Sequence, residues 1–182
     1  MPTQTEPASP FMNLLQQQVG REFQAAQQYV ALAVWFDARD LPQLAAHFYR
    51  QGVEERNHAM MMIQYLLDRG VTPVVPGIES VRNDFQQPLE LVELALEQER
   101  EVTRWIEEIF KAARDAGDFL GEQFMLWFLK EQVEEVASMS TLLTITERAK
   151  DDYFQVEEFI ARENVGDGGM DPSAPSAAGG AL

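Results

Sequence analysis

Apolar residues recur with a period near 3.6 through most of this chain, and helix breakers are confined to residues 1–10, 70–88 and the stretch after about Glu163. No alternating pattern of the kind a half-buried strand needs competes with that period. The chain is therefore expected to be all-α. Ser9-Pro10 offers a cap followed by a proline at the first helical position, Pro88 and Asp118 offer further starts, and Gly70 and Gly117 offer stops. Four long helices are expected over about 9–38, 41–69, 88–116 and 118–148, with a short fifth helix over 153–162. Residues 1–8 and 163–182 are expected to be tails, the second one mobile because it is rich in Gly, Ala, Pro and Ser.

Helices of this length would be about 40–45 Å long at 1.5 Å per residue. The 18 residues from Gly70 to Gln87 are too many for a tight turn, yet a chain of that size can reach up to ~60 Å, enough to return along a whole helix. The other connections are short. A four-helix bundle with one long crossover, its second and third helices parallel, accounts for this spacing.

Charge narrows the partners. Against 30 acidic residues stand 14 basic ones, giving a formal charge of −16. Such a surface repels nucleic acid and anionic membranes and attracts cations. Cysteine is absent, which excludes disulfides, thiolate metal sites, iron–sulfur clusters and cysteine nucleophiles. The opening MPTQTEPASP has neither a basic nor an apolar leader segment, and no apolar run approaches the ~18 residues of a membrane span. A cytoplasmic location is expected.

The polar residues that interrupt the apolar stripes are the most informative. Glu22 and Tyr29 fall on the inward face of helix one, Glu55 on that of helix two with His58 one turn on, and Glu99 in the middle of helix three. Gln132 and Glu135 occupy the corresponding face of helix four. Each helix thus aims a carboxylate inward near its midpoint, and no lysine or arginine on these stripes neutralises it. Buried unpaired carboxylates repel one another and are expensive, so a multivalent cation is the remaining partner. Carboxylates with one imidazole suit a hard metal such as iron or manganese. Taken singly, Glu55-x-x-His58 is a weak signal; the joint pattern, one element per helix, is the strong one. His47 is read as a structural or surface residue, Met60 to Met62 as core filling, and Trp35, Trp105 and Trp127 as packing.

Taken together, Glu22 with Tyr29, Glu55-Arg56-Asn57-His58, Glu99 and Glu131-Gln132-Val133-Glu134-Glu135 resemble the bacterial non-haem ferritins. The stretches Ala25–Tyr29 and Val53–Ala59 are most similar to those of mycobacteria and other actinobacteria. The resemblance covers about residues 9–162. It implies a ferritin-like four-helix bundle that oxidises Fe(II) with dioxygen or peroxide at a di-iron centre within the subunit. It also implies storage of Fe(III) as a mineral core inside a shell of 24 subunits. Glu22 and His58 would hold one iron, Glu55 would bridge to the second, and Glu99 and Glu135 would complete that one. Gln132 would hydrogen-bond a bound water or oxygen species, and Tyr29 would serve beside Glu99 as hydrogen-bond and candidate electron donor. A third iron site would use Glu54, Glu131 and Glu134, sharing Glu135. The fifth helix would line four-fold axes and Glu122 three-fold channels, with Asp118 a weaker channel candidate.

Departures from neighbouring families matter too. Bacterioferritins carry a second Glu-x-x-His on helix four, where this chain has Gln132 to Glu135, and a haem-ligating Met where it has Arg56. Haem is therefore not expected. The C-terminal tail would affect assembly or dock into a larger protein compartment. Two other readings compete: a di-iron oxidase or oxygenase acting on an organic substrate, and a structural bundle whose inward carboxylates pair with basic residues from elsewhere.

Overall fold

In the computed structural model, residues 9–150, 152–163 and 171–182 are described. They form α1 (Pro10–Asp37), α2 (Pro42–Asp68), α3 (Pro88–Asp115), α4 (Phe119–Ala149) and the short α5 (Tyr153–Glu163). No strand occurs among the described residues, so the all-α expectation holds. Among the described residues no helix is long and apolar enough to cross a membrane.

Local chemistry sets the helix ends. The Ser9 side chain accepts from the Met12 amide at 3.2 Å, with Pro10 as the first helical residue. Asp118 accepts from the Gly121 amide at 2.9 Å to cap α4. After α2 and α3 the chain turns at Gly70 and Gly117, both with positive φ. The N-terminus of α2 has no side-chain cap of its own. Its Gln43 and Leu44 amides instead donate to the two carboxylate oxygens of Glu157 on α5, each at 2.8 Å. This places a negative group on the positive end of a helix and pins α5 to the bundle.

The crossover from α2 to α3 is extended and tied down by glutamines. The Gln16 side-chain amide exchanges two hydrogen bonds with the Val74 backbone, at 2.7 and 2.8 Å. Gln28 does the same with Arg82, both at 2.9 Å. Between them the Glu79 amide donates to Gln24, and beyond them the Trp35 indole donates to the Phe85 carbonyl. The partners advance together along α1 and the crossover, so the connection runs in the direction of α1 for about 28 Å at 1.5 Å per residue. It delivers α3 to the end of the bundle where α1 finishes. Consequently α3 is antiparallel to α1 and parallel to α2.

α1 packs along α2 and α3 along α4, and the two hairpins meet through α1 and α3, leaving a wider seam between α2 and α4. Two apolar clusters fill the interior. One gathers Leu32, Phe36, Phe48, Leu91 and Leu142; the other gathers Phe11, Leu15, Leu66, Ile106 and Met125. Between them lies a polar layer at the middle of all four long helices.

Part of the C-terminal tail expected over 163–182 is described. Glu163 closes α5, and residues 171–182 lie against α2 and α4. Ala174, Ala177 and Ala178 pack on the second apolar cluster, the Ala178 amide donates to the Met60 carbonyl at 3.0 Å, and Leu182 exchanges two hydrogen bonds with Asn57. The small side chains that suggest disorder are also what let this backbone lie flat on the helices. The tail expected over 1–8 and residues 164–170 fall outside the described residues.

Removing the shared cap tests how α5 is held. Glu157→Ala is expected to speed amide hydrogen exchange at Gln43 and Leu44 by about ten- to hundredfold, in line with the ~1–3 kcal/mol cost of leaving buried donors unmet. Exchange mass spectrometry resolved to these amides is the measurement.

Candidate metal centre

The polar layer is built from one or two residues per helix. Glu22 and Glu99 are fully buried, and Glu55, His58, Gln132 and Glu135 nearly so. α1 and α2 come close here because residue 52 is glycine: a Cβ at Gly52 would stand 3.2 Å from the Ala26 carbonyl oxygen and 3.3 Å from Val30. That approach brings Glu22 to the Glu55-x-x-His58 turn. One ligand atom from each of Glu22, Glu55 and His58 lies within 4.8 Å of the others. Nδ1 of His58 faces Glu55 at 3.3 Å.

From the opposite hairpin, Glu99 accepts a short hydrogen bond from the Tyr29 hydroxyl, which reaches across from α1. The Thr103 hydroxyl lies 2.8 Å from both the Gln132 side-chain oxygen and the Glu99 carbonyl, one turn earlier on α3. Glu135 joins a second group, in which Glu54, Glu131 and Glu135 each offer an oxygen within 4.8 Å of the others. Glu135 therefore stands between the deep cluster and a half-buried one nearer the surface.

Electrostatics within the layer are unfavourable without a cation. Burial first, then the facing carboxylates of Glu99 and Glu22, push the Glu55 carboxyl well above the usual range. Burial raises Glu99 to about 7 even though the Tyr29 hydrogen bond works the other way. Glu135 is raised well above its ordinary value by burial and then by Glu54, Glu99 and Glu131. Glu131 reaches about 7 through burial and the charges of Glu54 and Glu134. Burial and the adjacent carboxylates raise the Tyr29 phenol as well, so it stays protonated and donates. No lysine or arginine is buried among the described residues, and one oxygen each of Glu22 and Glu99 is buried without a hydrogen-bond partner. Orphaned inward oxygens beside an imidazole are what a hard cation would satisfy, so the residues fit a metal.

Most of the residues singled out in the sequence are brought together: Glu22, Glu55, His58, Glu99, Gln132, Glu135 and Tyr29 in the deep layer, Glu54 and Glu131 beside it. Glu134 is not. Its carboxylate is 64% exposed and faces Lys130 at 3.7 Å. Glu122, at the start of α4, pairs with Arg114 at 3.2 Å. Asp118 is committed as a helix cap and to a bidentate pair with Arg69.

Sequence reasoning passes over several members of the layer. Gln18, fully buried, donates to Glu22 at 2.9 Å. Gln51 donates to Glu54 at 2.8 Å. Both stand four residues before a carboxylate ligand candidate, the spacing that puts them one turn away on the same face. Thr103 stands four residues after Glu99 in the same way. His47 is buried edge-on against Phe48.

The ferritin family, described as a ferritin-like domain, matches residues 12–149. The chain is 59% identical to Ferritin BfrB of Mycolicibacterium smegmatis over 172 residues, 94% of each chain. It is 56% identical to Ferritin BfrB of Mycobacterium tuberculosis over 176 residues, 97% of each. A bacterial non-heme ferritin of Staphylococcus aureus is 34% identical over 141 residues, 78% of this chain and 85% of that one. Among solved structures, an open-pore ferritin from Archaeoglobus fulgidus superposes with a TM-score of 0.81 at 27% identity, covering 87% of this chain and 97% of that one.

The raised carboxyls give a signed expectation for the metal-free protein. Groups that hold protons up to about 7 in the fold but only to about 4.5 when exposed favour folding less as pH rises through that window. Thermal stability of the metal-free protein is expected to fall between pH 5 and pH 8, and a divalent cation to reverse the loss. Cation binding is expected to release more protons per ion near pH 6.5 than near pH 8, as read by pH-stat titration.

Proposed function

The chain belongs to the ferritin-like domain family, and on that premise we propose that it stores iron, oxidising Fe2+ inside the subunit and holding Fe3+ as a mineral within a hollow shell. The observation that carries this reading is the buried layer of carboxylates and one imidazole, with orphaned oxygens on Glu22 and Glu99 and no buried basic side chain among the described residues. The iron-storage role is that of a ferritin; the reaction, the residue roles and the shell are the proposal.

Fe2+ is the substrate. The acidic surface, with its formal charge of −16, concentrates it. Glu22 and His58 take one ion, Glu99 and Glu135 a second, and Glu55 stands between the two. Holding two ions side by side lets a single molecule of dioxygen or peroxide receive an electron from each. Tyr29 and Gln132 orient what binds there, the first by fixing Glu99 and the second through its amide. Each Fe2+ that enters displaces carboxyl protons, so the same groups set the pH dependence of uptake. Glu54 and Glu131, joined to the deep site through Glu135, offer Fe3+ a shallower position on its way out, with Glu134 at the exposed edge. Binding by carboxylates with a single imidazole is loose enough to let go of the product.

Assembly has its own support. Val30 and Val34 on α1 and Tyr49 and Val53 on the neighbouring stretch of α2 are exposed, as are Phe119, Leu120 and Leu126 on α4 and Phe154 on α5. Apolar side chains grouped in this way mark contact surfaces. The proposed particle has 24 subunits, α5 at its four-fold axes and Glu122 at its three-fold channels. A di-iron oxidase acting on an organic substrate would need a pocket reaching the metals. A groove of about 360 Å³ between α1, α3 and the crossover is lined by Arg21, Gln98 and Trp105, none of which belongs to the centre.

Glu55→Ala and His58→Ala are each expected to slow the rapid phase of Fe2+ oxidation by roughly tenfold or more in stopped-flow absorbance. Both variants should still elute as the large particle in size-exclusion chromatography. Wild-type rates in both would remove the deep layer from the reaction, and elution as a monomer or dimer would remove the shell.

A further inference from the structure

Two aromatic rings of α4 stand edge-on against His58: Trp127 with ring centroids 5.6 Å apart and Phe128 with 5.7 Å. Of the two, only an indole gives up an electron readily. Trp127 is also partly exposed, so it spans the distance from His58 to the surface of α4. There its indole N–H donates to the Asp171 carboxylate at 3.0 Å. Asp171 belongs to the C-terminal segment and is held in place by hydrogen bonds from the Ser173 amide and hydroxyl at 2.7–2.8 Å. Lys130 approaches the same carboxylate at 3.7 Å.

The other two tryptophans are set up differently. Arg39 lies over the Trp35 ring at 3.6 Å and Arg21 over the Trp105 ring at 4.2 Å. A guanidinium on the face stabilises a neutral ring through its quadrupole and opposes a positive charge on it. A carboxylate at the indole N–H does the reverse, because its charge-assisted hydrogen bond strengthens as the ring becomes positive.

We propose that Trp127 is an electron donor to the metal centre by way of His58, with Asp171 stabilising the charge its indole then carries. This rests on the ferroxidase reading and adds a donor to it. Reduction of hydrogen peroxide to two waters breaks the O–O bond and takes two electrons and two protons. When a single Fe2+ occupies the centre, it supplies one electron and Trp127 the other. Hydrogen peroxide, Fe2+, the neutral indole and two solvent protons give two waters, Fe3+ and an indole radical cation. The next Fe2+ to arrive reduces the radical and becomes Fe3+, restoring the neutral ring. A half-filled centre thereby completes the two-electron step.

The test is freeze-quench electron paramagnetic resonance on the full-length protein. Anaerobic protein given a single equivalent of Fe2+ is mixed with hydrogen peroxide, with and without ring-deuterated tryptophan. The expected result is a radical whose lines narrow on deuteration, present in Tyr29→Phe, lost in Trp127→Phe and diminished in Asp171→Asn. Rapid Fe2+ oxidation without a tryptophan radical, or a tryptophan radical that survives Trp127→Phe, overturns the donor role and leaves the ferroxidase reading standing. An undiminished yield in Asp171→Asn overturns the part given to that carboxylate. Failure of the wild type to oxidise Fe2+ rapidly overturns the ferroxidase reading itself.

Discussion

Four helices that each turn a carboxylate into a shared interior face a problem that apolar packing does not solve. Desolvation pushes Glu55, Glu99 and Glu135 toward their neutral forms; the charges of Glu99 and Glu135 raise Glu55 further, and that of Glu99 raises Glu135. The interior is accordingly split: an apolar cluster at either end supplies the driving force for folding, and the polar layer between them adds no hydrophobic gain of its own. The two clusters bracket the layer on all four long helices, which fixes the carboxylates relative to one another even though they repel. A centre assembled this way is held open by its surroundings rather than by its own contacts, and it is ready for a cation.

Polar side chains hold the rest of the architecture at places where backbone groups would otherwise go unmet. Gln16 and Gln28 act as short substitutes for a neighbouring strand, each satisfying both the N–H and the C=O of one crossover residue. Glu157 serves as the cap that α2 lacks. Asp171 fastens the C-terminal segment beside the centre, along α2 and α4, where the two hairpins are farthest apart. These contacts join parts of the chain far apart in sequence, and all of them border the elements that carry the residues of the polar layer.

The centre was legible because helical periodicity converts sequence position into direction. Glu22, Glu55, Glu99 and Glu135 break apolar stripes at matched depths, and a stripe can be read without knowing its neighbours. The same rule grouped Glu134 with Glu131 and Glu135, yet one residue is about 100° around a helix, and that rotation carries Glu134 out to Lys130 and solvent. Gln18, Gln51 and Thr103 share a face with a carboxylate but look like ordinary surface residues, since nothing in a polar amide or hydroxyl says that it is buried. Trp127 reads as packing until the position of Asp171 is known.

The sequence alone determined the helices, their ends, the single long crossover and the inward direction of the acids. All of these depend on neighbours within a few turns of the same chain or on the reach of a connection. Tertiary structure alone decided which acids share a cation-sized space, that α5 lends a cap to α2, and that residues 171–182 lie against α2 and α4. Those outcomes hang on distances between elements remote in sequence, set by how closely side chains such as the missing one at Gly52 allow the helices to approach.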